Sequence, residues 1–565
     1  MARRRIVQRQ VLYLGEINDS QEASWRKTIE VFEKGKARHH QMMLFPHDRP
    51  LPSEEAKAIA VNLNELRLER PRQWGACWLS CLLWDQLKLD DFWKERLPPS
   101  REGTRWKHVF QTLVTYRLID PGSEWRLHRL WYEKSAMGDL LGEDFGLVQK
   151  DKLYRCMDKL LSHKKALFSF LQERWREMFD AKFDILFYDL TSTYFESNPP
   201  KGDKRQFGYS RDKRSDCLQV VIALIVTPQG FPLAYEVLPG NTQDKTTLKS
   251  FLEKIEMQYG QANRTWIMDR GIPTEEILGE MRESESPIYY LVGTPKGRLT
   301  QFEKKFLELP WKKARESVRV KLLQEDQELY VLVESKDRVQ KERSMRERRL
   351  KKLTDRLEEL QKQKLTRDDL LMKVGAAKKE AGRAFSLITL KLPERDQPVN
   401  AETFSYAINQ EKLDVVVNRE GRYLLRSNLV GEDPESLWEK YILLTEVEQA
   451  FKDLKGDLSL RPIHHQKEER IEAHIFVAFQ SYCLFVTLKQ RLKALAPGLT
   501  PRSVLDKLGE LQMIDVHLPT TDGRCITLSR YTQPTRDHQI LLSQMRLHLP
   551  NQPPPRISVK GRMID

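Results

Sequence analysis

The chain lacks any pattern of paired cysteines. Its six cysteines (Cys77, Cys81, Cys156, Cys217, Cys483 and Cys525) form no C-x-x-C pair and follow no regular spacing, which excludes a disulfide framework and fits a reducing cytoplasm. Cys77 and Cys81 lie four apart in an apolar helical stretch, where small buried hydrophobes are the simpler reading, so no zinc site is expected. A signal-peptide core is also missing, because no apolar run follows the basic start MARRRIVQRQ. No stretch approaches the ~18 apolar residues of a membrane span, and the sequence predicts a soluble protein with no membrane partner. With 31% charged and 40% hydrophobic residues the composition is that of a globular chain, and 565 residues exceed what one core organises.

What is present is positive charge. Lys and Arg number 95 against 81 Asp and Glu, for a net charge of +14 and a pI near 9.2, a balance that favours a polyanionic partner.

Periodicity divides the chain into five parts. Residues 1–53 read as a strand (5–15), a helix (24–34) and a Pro-marked linker. Residues 54–179 read as all-helical, with apolar and aromatic residues at three- and four-residue spacing, and with the clusters RLERPRQW and SREGTRWKHVFQTLVTYRL offering cations to phosphates. Residues 180–299, resumed at 401–495, carry strand-like runs. FDILFYDL, LQVVIALIV and FPLAYEVL come first, the last two joined by a TPQG turn; a helix, RTWIMD, a second helix and PIYYLVG follow. The order β-β-β-α-β-α-β predicts a mixed sheet covered by helices. Residues 300–400 read as an insertion, with strands SVRVKLL and LYVLVES and then a charged helix, about 337–364, whose Leu350, Leu353, Leu357 and Leu360 predict a helical hairpin. LDVVVNRE and GRYLLRSN read as strands. Residues 496–565 end in a Pro-rich, basic, flexible tail.

Three acids stand out. Asp189 in FDILFYDL and Asp269 in RTWIMD each close a strand-like run, and Glu448 lies on a helix starting near Glu435. Oxygen ligands of this kind suit hard cations such as Mg2+. On that helix Tyr441, Glu448 and Lys455 recur every seven residues and should share one side, beside an apolar stripe of Leu444, Val447, Phe451 and Leu454. Lys455, roughly 10 Å beyond Glu448, would meet a DNA phosphate. Glu196 and Asp244 are weaker acids, the latter a helix N-cap. Trp311 reads as a packed surface aromatic, with base stacking as the alternative. His464, His465 and His474 have no recognised ligand spacing and are expected in hydrogen-bonding or DNA-backbone roles. The residues by themselves support a metal-dependent acid cluster, such as that of a nuclease.

The stretch Y441-x2-L-x3-E448-x6-K455 resembles the Tyr-Arg-Glu-Lys signature of DDE transposases of the insertion-sequence-four type group of bacterial mobile elements. YDLTSTYFE, GYSRDKRSDCLQV, LPGNTQDKTTL, MDRG and DLSLRPIHHQKEERIEAHI look like further blocks of those enzymes, in order, over about residues 180–490. The resemblance implies a ribonuclease-H-like α/β core with a strand-plus-helix insertion before the glutamate helix; the helical domain before it, read as DNA-binding from its basic clusters, matches those enzymes only in general character. It implies Asp189, Asp269 and Glu448 as catalytic ligands of two Mg2+ ions, with Mn2+ as a substitute, and Tyr441 and Lys455 as DNA contacts. The family's arginine falls on Leu444; Lys440 and Lys452 are the nearby cations. The implied activity is cut-and-paste transposition by a homodimer acting on terminal inverted repeats and target DNA. Two other readings stay open, a metal-dependent nuclease without strand transfer and an inactive transposase-derived DNA-binding protein.

Overall fold

A computed structural model of the chain describes residues 59–196, 204–243, 248–259, 264–284, 288–395, 397–559 and 562–563. The strand, helix and linker expected in residues 1–53, and Asp244, lie outside the described residues. The chain forms two compact units. The first holds the described residues up to Lys182, Leu190–Thr242 and those from Glu446 on; the second holds Phe183–Asp189 and Gln243–Thr445.

The first unit opens with strand β1 (Arg67–Gln73), followed by helices α1 (Gly75–Gln86), α2 (Leu89–Arg96), α3 (Trp106–Ile119), α4 (Lys150–Met157) and α5 (Lys164–Phe179). The strand corrects the all-helical expectation for RLERPRQW. Arg70 sits at φ +53° beside a register shift between Glu69 and Arg72. Arg72 is 1% exposed and donates to Asp139 at 2.7 and 2.8 Å and to Asp515 at 3.0 Å. A buried guanidinium with two carboxylates serves the fold and leaves nothing for a phosphate. Strand β2 (Ile185–Tyr194) has its first half in the second unit and its remainder in the first. That remainder neighbours β3 (Gln219–Val226), which pairs antiparallel with β4 (Pro232–Pro239). As expected, TPQG makes the connecting turn, with Gly230 at φ +86° donating its N–H to the Thr227 carbonyl at 2.8 Å.

The second unit continues with α6 (Leu248–Tyr259), β5 (Thr265–Met268), α7 (Glu275–Glu283), β6 (Tyr289–Gly293) and α8 (Lys296–Leu307). Next come β7 (Lys312–Arg315), β8 (Val318–Glu325), β9 (Glu328–Ser335), α9 (Lys336–Lys362) and α10 (Arg367–Ala381). β10 (Ile388–Lys391), β11 (Ser405–Ile408), α11 (Gln410–Arg419), β12 (Arg422–Ser427) and α12 (Pro434–Ile442) complete it. β2, β5 and β6 run parallel; β12 pairs antiparallel with both β6 and β9, and β8 and β7 extend the sheet from β9. The strands of the expected insertion therefore continue this sheet, because β12 offers its far edge to β9. Only α9 and α10 stand apart with β10 and β11, as a hairpin packing Leu353, Leu357 and Leu360 against Leu370, Val374 and Ala377. LDVVVNRE is a helix and not the expected strand. The Asn409 side chain caps α11 by accepting from the Lys412 N–H, and Val415 and Val416 are 47% and 40% exposed, so no sheet buries them.

The first unit then resumes with α13 (Thr445–Lys455), α14 (Glu468–Leu495), α15 (Pro501–Gly509), β13 (Gln512–Pro519), β14 (Arg524–Tyr531), α16 (Arg536–Gln544), β15 (Arg556–Val559) and β16 (Arg562–Met563). β1, β13, β14, β15 and β16 form one antiparallel sheet, so the carboxyl end expected as a flexible tail is paired onto β14. Contrary to the expectation of no long apolar run, α14 holds an 18-residue window of mean hydropathy 1.5, of which 94% is buried. It is the central core helix of this unit. Phe479 stacks on Tyr235 at 4.0 Å, Tyr482 donates to the Gly230 carbonyl at 2.8 Å, and Thr487 accepts from Trp175 at 3.0 Å. A helix covered on all sides reads as apolar all round.

Candidate active site

The two aspartates come together by strand register. β2 and β5 are parallel with Tyr188 opposite Met268 as their last pair, and Asp189 and Asp269 are the next residue on each chain. Neighbouring strands lie about 4.8 Å apart, so the two carboxylates leave adjacent backbone positions at the carboxyl end of the sheet. Leu186–Tyr188 and Trp266–Met268 are buried, Asp189 is half-buried and Asp269 exposed. Asp269 follows the end of β5, as expected, whereas Asp189 lies in the middle of β2, which runs on through buried Leu190–Thr193 to Tyr194. The strand-end expectation holds for Asp269 and not for Asp189, because the polar run after Asp189 pairs onward in the sheet. Two hard oxygen donors so placed fit a divalent cation.

In the same unit the phenol of Tyr441, near the end of α12, reaches Asp269 Oδ1 at 3.5 Å. It rests on Gly293, where a Cβ would stand 2.6 Å from the phenol oxygen. Burial first, and then the Asp269 charge, push the Tyr441 phenol pKa up. The cleft around this pair is lined by Arg270, Arg338, Arg422 and Tyr423. Arg338 lies 4.7 Å over the Tyr423 ring, and Tyr423 accepts from Trp438 at 2.9 Å. Arg422 pairs with Glu334 at 2.8 Å. Arg270 follows Asp269 in the chain, whereas Arg338 and Arg422, not singled out in the sequence, come from α9 and β12, and only the fold brings them beside Asp269. Trp311 is half-buried against the Leu299–Phe306–Tyr330 cluster, with Arg319 at 4.5 Å and Lys321 at 4.9 Å from its ring, which fits the packed reading.

The single helix expected to carry Tyr441, Glu448 and Lys455 is broken. α12 ends at Ile442, α13 begins at Thr445, and the boundary between the units falls at this point. The Leu444 N–H turns back three residues to the Tyr441 carbonyl at 3.0 Å, and the Thr445 hydroxyl donates to the Ile442 carbonyl at 2.9 Å. That carbonyl would otherwise accept the next helical bond, so a short hydroxyl side chain ends the ladder. The seven-residue spacing therefore applies within α13, to Glu448 and Lys455, and does not carry across the break to Tyr441. Leu444 is 8% exposed and belongs to the core. Lys440 is held by Glu432 at 2.8 Å, and Lys452 is exposed.

Glu448 is exposed on α13, whose Val447, Ala450, Phe451 and Leu454 are buried in the first unit as the apolar stripe predicts. Asp453 is also buried there, and burial lifts its carboxyl pKa from 3.8 to about 6 against the bond donated by Gln449. Lys455 is not free. Its ammonium donates to Asp212 at 2.9 Å in the first unit. His464 is exposed, whereas His465 and His474 are buried with Glu124, their ligand-capable atoms within 4.8 Å of one another. The Arg117 guanidinium lies 3.4 Å from His474 Nδ1 and 3.9 Å from Glu124. A dication would be repelled by that guanidinium, which already balances the carboxylate, so the cluster is an internal hydrogen-bonded ion pair.

A β-β-β-α-β-α-β order with parallel β2, β5 and β6, and acids on the first strand and just after the fourth at adjacent register positions, is that of a ribonuclease-H-like α/β core. The chain belongs to the family described as Transposase DDE domain, which matches residues 181–484, more than half of its 565 residues. It is a DDE-type transposase, a class of DNA-processing enzyme that uses divalent metal. Among solved structures it is similar to a piggyBac transposase synaptic complex with hairpin DNA seen by cryo-EM, with 7% identity, a TM-score of 0.38, and coverage of 76% of this chain and 79% of that chain. No curated protein matches it.

Proposed function

We propose that the chain is a bacterial insertion-sequence transposase of the insertion-sequence-four type, acting in the cytoplasm by cut-and-paste transposition. The observation that carries this reading is the register of Asp189 and Asp269, each one residue beyond the last β2–β5 pair, in a chain of the Transposase DDE domain family. Asp189, Asp269 and Glu448 are the residues that would hold two Mg2+ ions, for which Mn2+ would substitute. When bound, the ions supply Lewis-acid activation of water and stabilisation of the leaving oxygen. The carboxylates' part is to hold that charge at the reacting phosphodiester, and no covalent protein intermediate is needed. Water attacks the phosphodiester at the element's end and leaves a 3'-hydroxyl and a 5'-phosphate. The 3'-hydroxyl then attacks a phosphodiester either of the opposite strand, closing a hairpin, or of target DNA; one P–O bond forms as another breaks, and the attacked strand leaves with a free 3'-hydroxyl. Tyr441, held against Asp269, contacts the DNA end, as does Lys455. The helical segment of the first unit contributes DNA binding, and two copies synapse the two terminal inverted repeats.

The test is purified protein with a duplex of the element's flanking end, a target plasmid and Mg2+. Joined end–plasmid products are expected. Nicks without joining leave a nuclease. End binding with no cleavage, unaffected by alanine at Asp189, Asp269 and Glu448, leaves an inactive DNA-binding descendant.

A further inference from the structure

Lys455 and Arg461 share one carboxylate. The Lys455 ammonium and the Arg461 guanidinium both pair with Asp212 Oδ1, the lysine at 2.9 Å, within the first unit. The side chains of Asp212 and Lys455 are 8% and 11% exposed, and that of Arg461 is 32% exposed. Asp212 sits in the loop between β2 and β3, and its Oδ2 is buried with no hydrogen-bond partner among the described residues. Arg461 follows α13 on the chain segment leading to α14.

The charges do not balance. Two cations pair with one carboxylate, and the Arg211 charge also acts on Lys455, so the pairing leaves positive charge in excess while water reaches it mainly through Arg461. A buried ion pair built for stability alone needs one cation, and a second, uncompensated one is costly there. A phosphodiester carries negative charge of the kind this set lacks, and an ammonium beside a guanidinium is a good receptor for it. The surroundings fit a nucleic acid. Arg461 and Arg214 lie 6.0 and 4.9 Å over the ring of Tyr194 at the end of β2. The Asp212 loop also exposes Tyr209 at 84% and Phe207 at 50%.

We infer that Asp212 is a positioning residue, holding Lys455 and Arg461 side by side as a two-pronged clamp for one DNA phosphate. Arg461 is then the second cation that buried Leu444 cannot supply. Without Asp212 the two cations repel and separate; with it they are spaced before DNA arrives, and less side-chain entropy is lost on binding. The inference rests on the DNA-processing reading above.

The experiment measures binding of the full chain to a fluorescein-labelled random-sequence duplex across a salt series. Lys455→Ala and Arg461→Gln should each lower the slope of log K against log salt by about 0.9, the signature of one lost phosphate contact. Asp212→Asn should weaken binding about three- to tenfold with the slope kept, because both cations remain. In the Asp212→Asn background the further loss from Arg461→Gln should shrink, a non-additivity that a merely structural aspartate would not produce. Asp212→Asn binding as tightly as wild type or tighter overturns the clamp, as does an unchanged slope for Arg461→Gln. The Arg461→Gln slope decides alone if Asp212→Asn does not fold. A wild-type chain that fails to bind duplex at low salt defeats the DNA-processing reading and the clamp together, which separates that failure from the others.

Discussion

Asp189 and Asp269 stand one residue beyond Tyr188 and Met268, the last register pair of two parallel strands. Their adjacency follows from backbone pairing and depends on no loop, so a substitution at either position changes chemistry without removing the scaffold.

Asp269→Asn and Asp189→Asn should each lower strand cleavage at least about a hundredfold, since charge stabilisation in such sites is worth several kcal/mol. Because Asp269 is exposed, its replacement should change stability by no more than about 0.5 kcal/mol. Nicking assays paired with urea unfolding check both halves. Wild-type nicking by Asp269→Asn would remove this residue from the site.

Gly293→Ala places a methyl group against the Tyr441 phenol, which a Cβ there would approach to 2.6 Å. The tyrosine is the movable partner, so the expected result is a folded protein whose Tyr441 has swung from Asp269, with weakened end cleavage similar to that of Tyr441→Phe. Circular dichroism and cleavage rates measured side by side would show it, and unchanged cleavage in both variants would mean that the Tyr441–Asp269 contact carries nothing.

Arg426 on β12 is 3% exposed and donates to Glu328 at 2.6 Å and to Glu275 at 2.9 and 2.8 Å. Arg282 and Tyr290 bind the same Glu328. Arg426→Ala leaves a buried carboxylate short of its main partner and should destabilise the second unit by about 3–5 kcal/mol. Arg426→Met, which fills the space, should cost no less unless Glu328→Gln accompanies it. A double-mutant cycle by urea unfolding reads the coupling.

Asp453 predicts a pH effect. Its folded pKa of about 6 is above the ordinary 3.8, so the folded state binds the proton more tightly and this group's stabilisation is complete below about 3.8 and lost as pH rises through 6. Asp453→Asn, which mimics the protonated form, should therefore be more stable than wild type at pH 7 by up to about 3 kcal/mol. The two should converge near pH 4. A difference that instead grew on acidification would refute the buried-acid assignment.

The sequence by itself determined the order of the core strands, the placement of Asp269 at a strand end, the leucine hairpin of α9 and α10, and the apolar stripe beside Glu448. Each is a local matter of periodicity and burial, encoded in neighbouring residues. The same local pattern closes a strand at Asp189, whereas in the structure that strand runs on to Tyr194. Tertiary structure decided the rest. The valines of α11 found no sheet to bury them and followed the Asn409 cap. The helix after Glu435 broke at Leu444, because one hydroxyl took a backbone acceptor and a leucine entered the core. Arg72 and Arg117, basic in the sequence, are internal counter-ions of acids distant in the chain. Arg461 came to share Asp212 with Lys455 across more than two hundred residues of sequence. Which charges are free to meet DNA depends on which acids folding brings to them, and no local pattern records that.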